Sequence, residues 1–203
     1  MSTAPTGRAP RRGRPGYDLE SLLQVAVKLF NERGYDGTSM EDLARKLGIT
    51  KSAIYHHVPS KEELLRLAVD RALDGLFAVV AEVETVDGRA VDQLEHLVRG
   101  SVAVLTEQLP FVTLLLRVRG NTKVERAALS RRREFDQLVT KLVRRAAEEG
   151  DIRPDIDPAT TSRLLFGMVN SLIEWYRPRR DSDSVELADA VCAIAFDGLR
   201  RHP

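Results

Sequence analysis

Four side chains on one short stretch have the makings of a nucleic-acid reader: Lys51, Ser52, Tyr55 and His56. They bring hydrogen-bond donors, a cation and an aromatic face, while Ala53 and Ile54 between them suit packing inward. Thr50 stands where it can cap the helix that holds them. The free N–H groups and positive dipole end of that first turn suit phosphate. Upstream, residues 1–16 carry Arg8, Arg11, Arg12 and Arg14 and no acidic residue, among three Pro and three Gly. Such a segment cannot bury apolar surface and is expected to be a disordered basic arm. Through Arg12 and Arg14 it would follow a phosphate backbone or enter a narrow minor groove. Up to residue 60 there are nine Lys or Arg against six Asp or Glu, a local +3. The whole chain sums to +1, so residues 61–203 carry −2. Positive charge is concentrated where a DNA duplex would be met.

Those side chains need helices that cross steeply, and TSMEDLARKLGITKSAIYHHVPSKEEL, residues 38–64, is written that way. Thr38 followed by Glu41 reads as a capping box. Met40, Leu43, Ala44 and Leu47 recur at i, i+3, i+4 and i+7, one apolar helical face. Gly48 stops that helix at the least steric cost, and Thr50 opens a second over Lys51–His57. Ser60, with Glu63 three residues on, opens a third. Two short helices around so tight a Gly turn make a helix-turn-helix.

Helical periodicity continues almost throughout, with no convincing strand or repeat. A first helix starts near Asp18 and stops at Gly34. Others cover 61–84, 89–108, a short piece opened by Pro110, 122–149, 158–176 and 185–200. Asp157-Pro158 is a capping carboxylate followed by Pro at the first helical position. The expected fold is all-α with nine helices. Residues 17–60 would form a helix-turn-helix DNA-binding domain and residues 61–203 a larger helical bundle.

Several functions find no support in the residues. The single Cys, Cys192, allows no internal disulfide and suits a reducing compartment. No apolar run reaches the ~18 residues of a membrane span, so a soluble, cytoplasmic chain is expected. Adjacent His56 and His57 point about 100° apart on a helix, not on one face as a metal pair would. No phosphate-binding Gly loop or nucleophile elbow is present, and neither a cofactor nor an enzyme activity is indicated.

The run GYDGTSMEDLARKLGITKSAIYHHVPSKEELL resembles the head of TetR-type transcriptional repressors over about residues 17–65, with Val58 in place of the usual Phe after the two His. The resemblance implies a homodimer joined through its last two helices, a ligand cavity in the bundle, and a palindromic double-stranded DNA operator. Carried over residue by residue, it puts Thr38, Thr50, Lys51, Ser52, Tyr55 and His56 at DNA and Lys61 on phosphate. VTLLLRVRGNTKVERAALSRRREFD and DIDPATTSRLLFGMVNSLIEWYRP resemble the subgroup that senses acyl-coenzyme A thioesters, especially the phenylacetyl-CoA-responsive PaaR repressors of catabolic gene clusters. Fatty-acyl and steroid-ring acyl-CoA sensors share the WYRP ending.

The residues agree in part with an acyl-CoA effector. The 158–176 helix is apolar around much of its circumference, so burial on several sides is expected. Asn170 sits amid that apolar surface and needs a partner, either a ligand thioester or amide or a neighbouring backbone group. Glu174, four residues on, would pair across a dimer instead. The expected ligand residues are Phe111, Leu115, Phe166, Met168, Asn170 and Trp175, with Arg117, Arg119 and Arg133 on the phosphates. Arg131, Arg132 and Arg133 form a run on the 122–149 helix, and such a run can equally be a solvated face. Two other readings stay open at this level: a drug-responsive repressor of the same fold, and a helical scaffold that binds no nucleic acid.

Overall fold

The computed structural model describes residues 18–85, 88–177 and 183–199, which form nine helices and no strand among the described residues. In chain order they are α1 (Leu19–Arg33), α2 (Met40–Leu47), α3 (Lys51–Tyr55), α4 (Lys61–Thr85), α5 (Ala90–Glu107), α6 (Leu109–Arg117), α7 (Lys123–Glu148), α8 (Pro158–Trp175) and α9 (Asp183–Leu199). The basic arm, with Arg12 and Arg14, lies outside the described residues.

Most boundaries follow local chemistry. The Asp18 carboxylate accepts from the Ser21 N–H at 2.8 Å and starts α1. Thr122 and Glu125 make a reciprocal capping box ahead of α7. Asp157 accepts from the Thr160 N–H at 2.9 Å, with Pro158 at the first position of α8. Gly48 ends α2 at φ 67°, ψ 31°, the left-handed conformation that costs any Cβ-bearing residue strain.

One start differs from expectation by a residue. The capping box of α2 is Ser39 with Asp42, not Thr38 with Glu41. Ser39 Oγ accepts from the Asp42 N–H at 3.1 Å, and the Asp42 carboxylate accepts from the Ser39 N–H at 3.0 Å. Thr38 is only 1% exposed, and its hydroxyl donates back to the Gly34 carbonyl at 2.9 Å. Burial of that side chain against α1 decides between two overlapping patterns. Helix α3 is also shorter than expected: it closes at His56, because Val58 turns into the core at 1% exposure. Val58 packs where the family pattern has Phe.

Helices α1, α2 and α3 form a small head seated on α4 and α6. At about 1.5 Å per residue the 25 residues of α4 reach some 37 Å, from the head deep into the bundle. There α4 packs on α5, α6 and α7; α8 lies against α7 and α5, and α9 covers α5. The head is fastened polarly as well. Arg71 of α4 donates twice to Glu20 of α1, at 2.7 and 2.8 Å, and its guanidinium lies 4.5 Å from the Phe111 ring centroid. Asn31 of α1 donates to the Pro110 carbonyl at 2.8 Å, while its own carbonyl accepts from Arg117 at 3.3 Å. Both ends of α6 are thereby tied to one residue of the head. Cys192 is buried on α9, and burial pushes its thiol up to about 11, so it stays protonated at neutral pH.

Within one chain α8 is buried on one side only, which leaves its other apolar side free for the partner subunit that an all-round apolar helix implies. Leu165, Phe166, Val169 and Leu172 face the core, but Leu164, Met168 and Trp175 are 64%, 37% and 59% exposed.

Candidate functional site

Helix α3 presents its polar face to solvent. Thr50, Lys51, Ser52, Tyr55 and His56 are all exposed, whereas Ile54 is fully buried and anchors the helix to the head. The Thr50 hydroxyl accepts from the Ala53 N–H at 3.2 Å. Lys51 reaches across the turn to the Glu41 carboxylate of α2 and lies 5.9 Å from the Tyr55 ring centroid. That partner holds the Glu41 carboxyl below the usual range and raises the Lys51 ammonium above its own. The arrangement offers a compact array of donors with one aromatic ring standing 46% exposed beside them.

Two residues carried over as DNA contacts sit elsewhere. Thr38 is interior, as described above. The Lys61 ammonium donates to the carbonyls of Tyr35 at 2.8 Å and Thr38 at 2.9 Å, and stands 4.1 Å from the Tyr35 ring centroid. With three donors and two of them spent on backbone, Lys61 first of all ties α4 to the loop between α1 and α2.

The bundle encloses a narrow apolar crevice where α4, α5, α6, α7 and α8 meet. Leu73, Leu76, Leu105, Leu115, Phe135 and Phe166 give it an apolar wall, and the two Phe rings meet edge to face at 5.1 Å. Its cavity volume is about 40 Å³, room for only a few waters. Four polar side chains intrude: Ser101, Arg132, Asp136 and Asn170. The Ser101 hydroxyl is 2% exposed and has no hydrogen-bond partner. Asn170 makes no side-chain hydrogen bond to the described residues. Desolvation depresses the Arg132 guanidinium and raises the Asp136 carboxyl, so both charges are held at a cost.

Of the expected ligand residues the crevice therefore gathers Leu115, Phe166 and Asn170. Phe111 is core between α6 and the head, stacked under Arg71. Met168 and Trp175 point outward from α8. Arg117 and Arg119 line a separate cleft between head and bundle, with Asn31, Tyr35 and Glu125. Arg133 lies on an open groove between α7 and α8. Helix rotation is the reason in each case, since neighbours in sequence point about 100° apart. Periodicity and motif did not single out Ser101 or Asp136, and Arg132 entered only as the middle of the Arg131–Arg133 run. Ser101 is visible as a lone hydroxyl in an apolar run, while Arg132 and Asp136, four apart, look like a surface ion pair until the fold sets them against the crevice.

No helix among the described residues is long and apolar enough to cross a membrane, and no cluster there could hold a metal ion. Residues 22–68 match the family model for bacterial regulatory proteins of the tetR family, and residues 87–199 match that for the tetracyclin repressor-like C-terminal domain. The HTH-type transcriptional repressor KstR2 of Rhodococcus jostii (strain RHA1) is 31% identical over 197 residues, covering 92% of this chain and 93% of that protein. A crystal structure of a TetR transcriptional regulator family member from Streptomyces coelicolor A3 is 52% identical, with a TM-score of 0.85 over 95% of this chain and 98% of that one. AibR in complex with isovaleryl coenzyme A and operator DNA is 26% identical, with a TM-score of 0.73 over 87% of this chain and 97% of that one.

Proposed function

This chain belongs to the tetR family of bacterial regulatory proteins, and from that premise we propose that it is a homodimeric repressor released from its operator by an acyl-coenzyme A thioester. The family is one of DNA-binding regulators, not enzymes. The outward face of α3 supports operator reading through Thr50, Lys51, Ser52, Tyr55 and His56. Dimerisation is supported by exposed apolar side chains on α8 and α9: Leu164, Met168 and Trp175 share one face of α8, and Ile194 stands on the outer side of α9. Gly167, on the same face of α8, has nothing within 4 Å of where a Cβ would stand, which leaves room for a partner helix to approach closely. Two heads so paired would set two α3 helices into successive major grooves, roughly 34–36 Å or a multiple apart, on a near-palindrome.

The effector reading is carried by one observation, the unpartnered Ser101 hydroxyl facing an apolar crevice beside Asn170. A buried hydroxyl without a partner costs about 1–3 kcal/mol. A thioester carbonyl would satisfy Ser101 and the amides behind it the half-buried Asn170, and an apolar acyl group would fill the space against Leu115, Phe135 and Phe166. The edge-to-face Phe wall favours an aromatic acyl group, so phenylacetyl-CoA is the first candidate and branched or fatty acyl-CoAs the next. The likeness to AibR, a protein crystallised with isovaleryl coenzyme A and operator DNA, supports the class.

A crevice of this size must open to admit any acyl group. Helix α6 faces it with Leu115 and is tied to the head through Asn31 at both ends. Widening would therefore displace the head and favour a spacing that does not fit the operator. Moving a dimer from mostly bound to mostly free needs ~5.5 kcal/mol of differential affinity. The test is fluorescence anisotropy on DNA from the chain's own upstream region, with phenylacetyl-CoA, isovaleryl-CoA, palmitoyl-CoA and a panel of lipophilic cations. Salt-sensitive, sequence-selective binding is expected, lost on adding one of the thioesters, with Ser101→Ala needing about tenfold more effector at unchanged operator affinity. Release by the cations alone would replace the acyl-CoA reading with a drug-responsive one, and absence of selective binding would end the repressor reading.

A further inference from the structure

The enclosed crevice does not end blindly. Asp136 lines both it and the open groove between α7 and α8, so one side chain stands where the two spaces meet. Beyond Asp136 the groove is strongly cationic. Arg133, Lys141 and Arg144 project from one face of α7, and Arg163 faces them from the first turns of α8. All four are exposed, and none makes an ion pair within 4 Å or a side-chain hydrogen bond to a described residue, although Arg163 lies near enough to Asp136 and Asp157 to attract both carboxylates. Two other arginines of α7 are compensated by contrast: Arg131 by Asp70 and Asp74, Arg145 by Glu149. Four converging cations lined by a single carboxylate repel one another, within residues 61–203 that sum to −2. Such a cluster is built for an anion carrying several charges, and guanidinium groups suit phosphate in particular.

Resting on the acyl-CoA reading above, we infer that this groove seats the phosphorylated tail of the effector, with Arg133, Lys141, Arg144 and Arg163 on its phosphates and Asp136 at the junction. The order of groups matches the order of chemistry. An acyl chain lies in the apolar crevice, and the thioester meets Ser101 and Asn170. The neutral pantetheine arm passes the carboxylate of Asp136, to which its amide N–H groups donate. The phosphates land past it, on the cations. A carboxylate at the junction repels phosphate from the crevice mouth and so sets the direction in which the ligand enters. Arg117 and Arg119, in another cleft, take no part.

Calorimetric titration of the whole chain separates the groove from the crevice. Two ligands are compared, phenylacetyl-CoA and S-phenylacetyl-pantetheine, which lacks the nucleotide and its phosphates; isovaleryl-CoA and its pantetheine counterpart serve as a second pair. Two variants are used, Lys141→Glu/Arg144→Glu and the milder Lys141→Gln/Arg144→Gln, both at exposed sites. The CoA thioester is expected to bind the charge-reversed variant at least tenfold more weakly and with a flatter salt dependence. The glutamine variant should fall between, and the pantetheine thioester should bind all three proteins alike. Equal affinity of the CoA thioester for wild type and both variants would overturn the groove assignment and leave the effector reading standing. No binding of any thioester to wild type would instead overturn the effector reading, and the groove assignment with it. Loss of operator affinity in the variants would mean that the groove faces DNA, which also overturns it.

Discussion

Lys51 has two competing partners. In the free head its ammonium is held by Glu41, and on an operator it would be needed by a phosphate. Glu41 therefore subtracts from DNA affinity while orienting the lysine. Both side chains are well exposed, so the pair adds little to folding. Replacing Glu41 with Gln should tighten operator binding a few-fold at low salt and steepen the log–log salt dependence by about one phosphate contact. Anisotropy titrations across a salt series measure both, and an unchanged slope would mean that Lys51 never meets phosphate. Lys61 makes the contrasting case. Its donors go to the Tyr35 and Thr38 carbonyls, a role the sequence did not disclose because those acceptors are backbone groups 26 and 23 residues away.

At the scale of elements, the helix starts at Asp18, Thr122 and Asp157 were legible because a cap and its N–H partner lie three residues apart. The start of α2 was not, because Thr38-Ser39 and Glu41-Asp42 spell the same pattern in two registers and only burial of Thr38 separates them. Gly48 shows how local a turn requirement can be. A Cβ there would meet nothing within 4 Å, so its whole cost is backbone strain at φ 67°. Gly48→Ala should destabilise the head by about 1–2 kcal/mol. Thermal unfolding would report it as a melting point lower by roughly 2–8 °C. No change would mean that the turn between α2 and α3 relaxes to another conformation. Operator affinity should fall as well, since the turn sets the angle at which α3 is offered.

For the whole molecule, the outer faces of α8 and α9 matter most. Leu164, Met168, Trp175 and Ile194 stand exposed on a chain whose other large apolar side chains are mostly buried. A second copy would cover them, and heads held in pairs are what a two-fold operator requires. Leu164→Glu/Ile194→Glu should convert the dimer to a monomer in sedimentation equilibrium. It should also abolish the dependence of the melting point on protein concentration and weaken operator binding on the order of a hundredfold. A dimer that survives both charges would place the contact elsewhere.

What the chain alone determined were properties carried by near neighbours: helix ends, apolar faces, the tight Gly turn, and the clustering of positive charge toward its beginning. Periodicity and capping depend on residues three or four apart, so they are written in the order of letters. What only the tertiary structure decided was which side of each helix looks where. It turned Thr38 and Phe111 inward and Met168 and Trp175 outward, sent Arg117 and Arg119 to one cleft and Arg133 to another, and brought Ser101 of α5, Asp136 of α7 and Asn170 of α8 around one space. The rotation of a helix about its axis is set by what packs against it from distant parts of the chain, and a shift of one residue, about 100°, moves a side chain from a cavity to solvent.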